Sequence, residues 1–166
     1  MIHARGALLT ALACIVGFSS ACVADASLPQ SRLPEIEVCF ITEQHAVPVT
    51  LEVAKTFQQR QAGLMARDSL APNAGMLFRY PEPQEPDRGF WMYQTTLTLD
   101  IAYLNESGII GSVRTMEPCA SSRPSNCPSY PAGVVFSSAV EMSDGFFATN
   151  GIGVGDRMAT GEECRR

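Results

Sequence analysis

The sequence predicts a mainly β protein: a single-domain β-sandwich or partly open barrel of about seven strands with one or two short helices. Three observations carry this prediction. Apolar residues alternate with polar ones over several short runs, the period of a half-buried strand. Thirteen glycines and eleven prolines are spread along the 166 residues, so turn signals recur at close spacing. Hydrophobic residues make up 46% of the chain, enough for the core of one ordinary domain and against a disordered chain.

The elements follow in order. Residues 35–41 put Ile36, Val38 and Phe40 on one face and Glu35, Glu37 and Cys39 on the other. After a turn holding His45, residues 47–54 repeat the pattern with Val47, Val49, Leu51 and Val53. Thr56 and Gln59 have the spacing of a capping box, in which each side chain satisfies the other's orphan backbone N–H, so a short helix opens here and Gly63 ends it. Leu64, Met65 and Leu70 are expected to pack inward. Residues 75–80 form a strand, and residues 81–89, with three prolines and four charges, an exposed loop. The run Phe90-Trp91-Met92-Tyr93 reads as a strand covered on both faces. Residues 97–104 and 109–116 flank the turn Asn105-Glu106-Ser107-Gly108 and form a hairpin. Residues 118–131 are irregular, and residues 134–142 form a strand. Residues 144–149 make one helical turn, with Ser143 as N-cap and Asn150-Gly151 as its stop. Residues 154–160 close the domain around a Gly155-Asp156 turn.

The N-terminus reads as an export signal. Arg5 supplies the positive start, residues 6–18 the uncharged apolar stretch, and Ala24-Asp25-Ala26 the small-x-small cleavage pattern. The expected layout is a signal over residues 1–26, a polar Pro-containing linker over 27–34 and one domain over 35–166. Two other readings of the leader stand beside this one. Cys22 after Ser19-Ser20-Ala21 is a lipidation candidate, although Ser19 occupies the place where a branched apolar residue is usual. The absence of charge between Arg5 and Asp25 also suits an uncleaved membrane anchor. Contact with a membrane is expected only through such a lipid or anchor. An exported chain places the domain in the periplasm or cell envelope.

Net charge is −5, and removing residues 1–26 leaves it unchanged because Arg5 and Asp25 cancel. Lys55 is the only lysine, and no basic run or basic-aromatic interleaving exists, so no nucleic-acid partner is expected. Of six cysteines, Cys39, Cys119, Cys127 and Cys164 lie in the folded part, and an exported chain implies two disulfides among three pairings. Cys119–Cys127 with Cys39–Cys164 is favoured: one staples a Ser- and Pro-rich loop, the other ties the first strand to the C-terminal tail. Loop-closure entropy assigns them about 2.5 and about 5 kcal/mol.

The chemistry the chain lacks narrows its function. His45 is the only histidine after the signal, no Gly-x-Ser-x-Gly elbow occurs, and no Cys-x-x-Cys pair or histidine cluster is available for a metal. Gly151-x-Gly153-x-Gly155 lacks the helix and lysine of a phosphate loop and reads as turns. Met65, Met76, Met92, Met116 and Met142 show no clustering for copper(I) and read as core filling. No cofactor or metal is expected. Asp100, between Leu99 and Ile101, faces away from both; its expected partner is a neighbouring loop or Arg60. Trp91, the only tryptophan, is either a core residue or a platform for a sugar or other flat ligand. Arg60 suits a salt bridge or an anionic ligand, and Gln94 and Thr95 suit a cleft mouth.

Several strings occur together: Thr56-x-x-x-Arg60-x-x-Gly63-Leu64-Met65, Gly75-Met76-Leu77-Phe78, Phe90-Trp91-Met92-x-x-Thr95, Leu99-Asp100-Ile101, and Gly155-Asp156 after Gly151-Ile152. In this order and spacing the chain resembles the domain-of-unknown-function 192 family, also called uncharacterised protein family 0127. The resemblance runs from Val47 to Met158. It implies a mostly β fold and, in many members, a signal peptide; it implies no reaction. Two departures stand out. Tyr93-Gln94 replaces the family's usual Lys-Asn, and the loop from Cys119 to Cys127 is an addition.

These readings converge on an exported, non-enzymatic small-molecule or carbohydrate-binding module. Its candidate contacts are Arg60, Trp91, Met92, Gln94, Thr95 and Asp100. The alternative is a structural or protein-interaction module of the cell envelope that uses a sheet edge or an apolar patch. A carboxylate-dependent hydrolase built on Asp100 ranks below both, since it needs a second carboxylate nearby.

Overall fold

Alternating apolar residues build the first two strands. In the computed structural model of the chain, which describes residues 28–119 and 121–165, β1 (Glu35–Ile41) pairs antiparallel with β2 (Ala46–Ala54). The stretch expected to be a signal, with Cys14 and Cys22, lies outside the described residues. Helix α1 (Phe57–Ala62) follows, opened by the Thr56–Gln59 capping box and closed at Gly63, whose φ of 47° suits glycine. It returns the chain to β3 (Ala74–Gln84), parallel to β2. A three-residue β4 (Gly89–Trp91) precedes the hairpin of β5 (Leu99–Leu104) and β6 (Ile110–Met116). Next come a short β7 (Ser129–Pro131), β8 (Phe136–Ser143), helix α2 (Phe146–Thr149) and β9 (Arg157–Thr160).

Seven strands form one sheet in the order β6-β5-β8-β3-β2-β1-β9, and β4 pairs with β7 in a separate ribbon. The large sheet curls until its end strands meet. Ile109 bridges Arg157, and Ile110 N–H donates to Asp156 O, Gly155 N–H to Ile110 O and Met158 N–H to Gly108 O, each at 2.9 Å. Of the two architectures expected, the partly open barrel is the one formed.

Both faces of this sheet are buried, and period two sorts the side chains between them. One cluster holds Val38, Phe40, Val49, Leu51, Leu77, Ala102, Leu104 and Val140. Helix α2 adds Phe146 and Phe147, the latter edge-on to Phe40 at 5.4 Å. The second cluster holds Met76, Phe78, Phe90, Met92, Leu99, Ile101, Tyr103 and Phe136. Here aromatic rings meet edge-on: Phe78–Phe90 at 4.7 Å, Phe90–Tyr103 at 5.8 Å and Tyr103–Phe136 at 4.9 Å. Leu64 from the end of α1 and Ala132 beside β7 also join this cluster.

Cys39 is bonded to Cys164 and Cys119 to Cys127. No helix among the described residues is long and apolar enough to cross a membrane.

Five local expectations require correction. Residues 81–84 are strand and not loop: β3 continues past a register shift to pair Gln84 with Phe136, and Pro81 and Pro83 sit at that irregularity, where a missing N–H is tolerated. The run from Phe90 to Tyr93 is covered on one face only, because its strand belongs to a two-stranded ribbon; Phe90 and Met92 point inward while Trp91 is 37% exposed. Part of the segment from 118 to 131 is strand β7. Ser143 ends β8, and α2 starts instead from Gly145 with no side-chain cap. Within the expected linker, residues 30–34 are docked on the domain. Gln30 Nε2 donates to Gly63 O at 2.7 Å and Gln59 O at 3.2 Å, Leu33 packs on the second cluster, and Val53 N–H donates to Pro34 O at 2.9 Å.

Candidate functional site

A cleft of ≈ 640 Å³ opens between α1, the far half of β3 and the β4–β7 ribbon. The ribbon approaches closely because β4 begins with glycine: a Cβ on Gly89 would lie 2.3 Å from Tyr130 O. Phe90 and Phe136, both buried, contribute the apolar floor. Cys127 and Ser129 line the side formed by the stapled loop and β7.

Arg60 comes from the last turn of α1. Its Nη1 donates to Lys55 O at 2.5 Å and to Arg79 O at 3.1 Å, and its guanidinium lies 4.7 Å over the Tyr80 ring. The arginine is thereby held in place by neutral acceptors and a ring. Tyr80 in turn meets Phe136 edge-on at 5.4 Å. Burial pushes its hydroxyl up to about 12, against the opposing pull of the Arg60 charge, so the phenol remains a neutral donor at physiological pH. Arg88 is exposed, with its backbone pinned: its N–H donates to Glu85 O at 3.0 Å and its carbonyl accepts from Ala132 N–H at 2.8 Å. No ion pair engages either arginine among the described residues. Trp91 leans on Tyr93, ring centroids 5.7 Å apart.

The structure separates the sequence-derived candidates. Arg60 and Trp91 share the cleft, and Met92, Gln94, Thr95 and Asp100 are not among its lining residues. Met92 is buried in the second cluster, as the inward partner in the β4 alternation. Gln94 has a positive φ of 55° and its carbonyl accepts from Ala66 N–H at 2.8 Å, fastening one loop to another. Thr95 is buried in the same turn, its N–H donating to Met92 O at 3.0 Å. Asp100 sits directly opposite Thr115 on β6, and its Oδ1 accepts from Thr115 Oγ1 at 2.7 Å. Neither a loop N–H nor Arg60 is its partner; the cross-strand register supplies one instead.

Sequence reasoning missed Arg88, Tyr80 and Phe57 at the cleft. Arg88 was read only as one charge in an exposed loop, and Phe57, 66% exposed, stands at the start of α1. It also missed two buried acids. Glu52 accepts from Leu33 N–H at 2.8 Å and Arg67 Nη2 at 2.9 Å. Glu141 lies two strands further along the same row, beyond Met76, with register partners Met76 and Ile101, and burial pushes its carboxyl up to about 8. Both alternate with apolar neighbours, a pattern that ordinarily signals an outward face. Among the described residues, no group of three or more His, Cys, Asp or Glu is placed to hold a metal.

Fold and cleft together define a small two-disulfide domain built on a curled, nearly closed sheet, with a cationic and aromatic hollow on its side. The model of the DUF192 family, described as "Uncharacterized ACR", matches residues 39–160, and the chain belongs to that family. A solved structure described as a "putative transcription regulator" from Sinorhizobium meliloti 1021 is 26% identical with a TM-score of 0.68, covering 78% of this chain and 95% of that one. A protein of unknown function from Novosphingobium aromaticivorans DSM 12444 shares the fold at 24% identity and a TM-score of 0.66, covering 80% of this chain and 90% of that one. No curated protein matches.

Proposed function

We propose that the protein is an exported, non-enzymatic small-molecule-binding module whose site is the cleft between α1 and the β4–β7 ribbon. The observation that carries this reading is the exposed face of Trp91 beside two arginines that form no ion pair among the described residues. Concave sites with aromatic walls and a few fixed polar groups are the usual form of ligand pockets. Of the original candidates, Arg60 and Trp91 remain as contacts; Arg88 and Tyr80 join them. Export is supported by the signal-like leader and is compatible with the two disulfides. An acidic chain without a basic stripe does not favour nucleic acid as the ligand.

A thermal-shift screen of the mature chain tests this. Binders should raise Tm for the wild type and not for Trp91→Ala. A second reading, a protein-interaction module, draws on the exposed Phe57 at the cleft rim. It would gain if no small molecule shifts Tm and Phe57→Ser abolishes capture of a defined envelope partner.

A further inference from the structure

We infer that the cleft takes a carboxylate-bearing sugar, a uronic acid residue, with the carboxylate at Arg88 and the ring face on Trp91. This deepens the binding reading above and rests on it.

Charge is the first argument. The chain as a whole is acidic, at −5. Four other hollows contain carboxylates: Glu37 in one, Glu106 and Glu163 in another, Glu43 with Glu163 or with Asp156 in two more. The cleft has Arg60 and Arg88 and no acid in its lining. Arg60 is fixed by backbone carbonyls, whereas the Arg88 side chain has no partner among the described residues and extends from a pinned backbone. A planar guanidinium so placed can make a paired contact with a carboxylate.

Ring geometry is the second. Arg60 lies over the Tyr80 ring, while Trp91 presents an exposed indole. A single platform suits a ligand with one apolar face and a polar remainder. Gln61, Gln84 and Ser129 surround that remainder; Gln84 Nε2 donates to Glu82 O at 2.9 Å, leaving its amide oxygen to accept from a ligand. A pyranose offers C–H groups to the indole and hydroxyls to these amides. A simple aromatic acid would leave the amides without partners, and inorganic phosphate would leave Trp91 unused.

The single tryptophan is its own reporter. Titrating the disulfide-intact mature chain with trigalacturonate should change Trp91 fluorescence saturably, with affinity falling as salt rises. By calorimetry, Arg88→Ala and Trp91→Ala should each weaken binding by about tenfold or more, with Arg88→Lys between Arg88→Ala and wild type. Maltotriose should bind about tenfold more weakly than trigalacturonate. Circular dichroism confirms folding of each variant, and Trp91→Leu replaces Trp91→Ala should the latter unfold. D-glucuronate, run alongside, separates a free sugar acid from a polymer chain; binding by either supports the class. Maltotriose binding as tightly as trigalacturonate would overturn the carboxylate while leaving the cleft reading intact. Benzoate or phosphate matching trigalacturonate would overturn the sugar. Binding unaffected by both Trp91→Ala and Arg88→Ala, or no binding of any probe, would overturn this assignment; a thermal-shift hit from another chemical class, lost in Trp91→Ala, would show that the cleft reading survives it.

Discussion

Glu141 is an acid held where its charged form is costly. It occupies the row Glu52–Met76–Glu141–Ile101 across four strands, on the sheet face that Phe78, Met92 and Leu64 cover. Glu52, two strands away in the row, has an arginine and a backbone N–H for company; burial acts on Glu141 without such relief. The folded protein keeps the Glu141 proton up to about pH 8, whereas an unfolded glutamate releases it near 4.5. Between those values the folded state binds more protons than the unfolded state, so stability is greatest below pH 4.5 with respect to this group. It is lost as pH rises toward 8, at up to about 1.4 kcal/mol per pH unit. Glu141→Gln should flatten that slope and leave the variant more stable relative to wild type at pH 8 than at pH 5, as read by urea denaturation at several pH values. An equal slope in both proteins would remove Glu141 as its source.

At the scale of elements, α1 is the local structure on which the cleft depends most. Six residues are too few for a helix to persist by propensity alone, so its ends must be satisfied from outside. Thr56 Oγ1 accepts from Gln59 N–H at 3.2 Å, and Gln59 Oε1 accepts from Thr56 N–H at 2.9 Å. At the other end Gln30 caps Gln59 O and Gly63 O. Thr56→Ala should cost about 1 kcal/mol, measured by denaturant unfolding, and should loosen Arg60, whose anchor Lys55 O lies just before the cap. The cap was legible in the sequence because it needs only local spacing. So were β1, β2, the β5–β6 hairpin and the grouping of apolar residues by face. What period two could not reveal was that the polar-looking face of β2 and β8 is itself covered. Glu52 and Glu141 share their face with Met76 and Ile101, and Leu33, Leu64, Phe90 and Met92, which pack in the second cluster, arrive from elsewhere in the chain. The same long-range arrangement decided the cleft. Arg60 and Trp91 line one cleft across about thirty residues of intervening chain, a juxtaposition that local pattern does not encode.

For the whole molecule, the Cys39–Cys164 bond closes a loop of sequence separation 125. Replacing both cysteines by serine should lower stability by about 2–5 kcal/mol, measured under non-reducing conditions against the wild type. The double replacement at Cys119 and Cys127, whose separation is only 8, should cost less in global stability and act mainly on the cleft wall. Equal losses would show that chain entropy is not the source of the difference.

The meeting of β1 with β9, and of β9 with the start of β6, has a consequence for biogenesis. A ribosome or a translocon delivers β9 last, yet β1, delivered first, has β9 as its outer neighbour. Until the C-terminal residues emerge, β1 and β6 are open margins able to recruit strands from other chains. A nascent chain stalled before residue 157 should therefore be captured by chaperones or aggregate, whereas eight further residues bring both the missing strand and the cysteine that locks it.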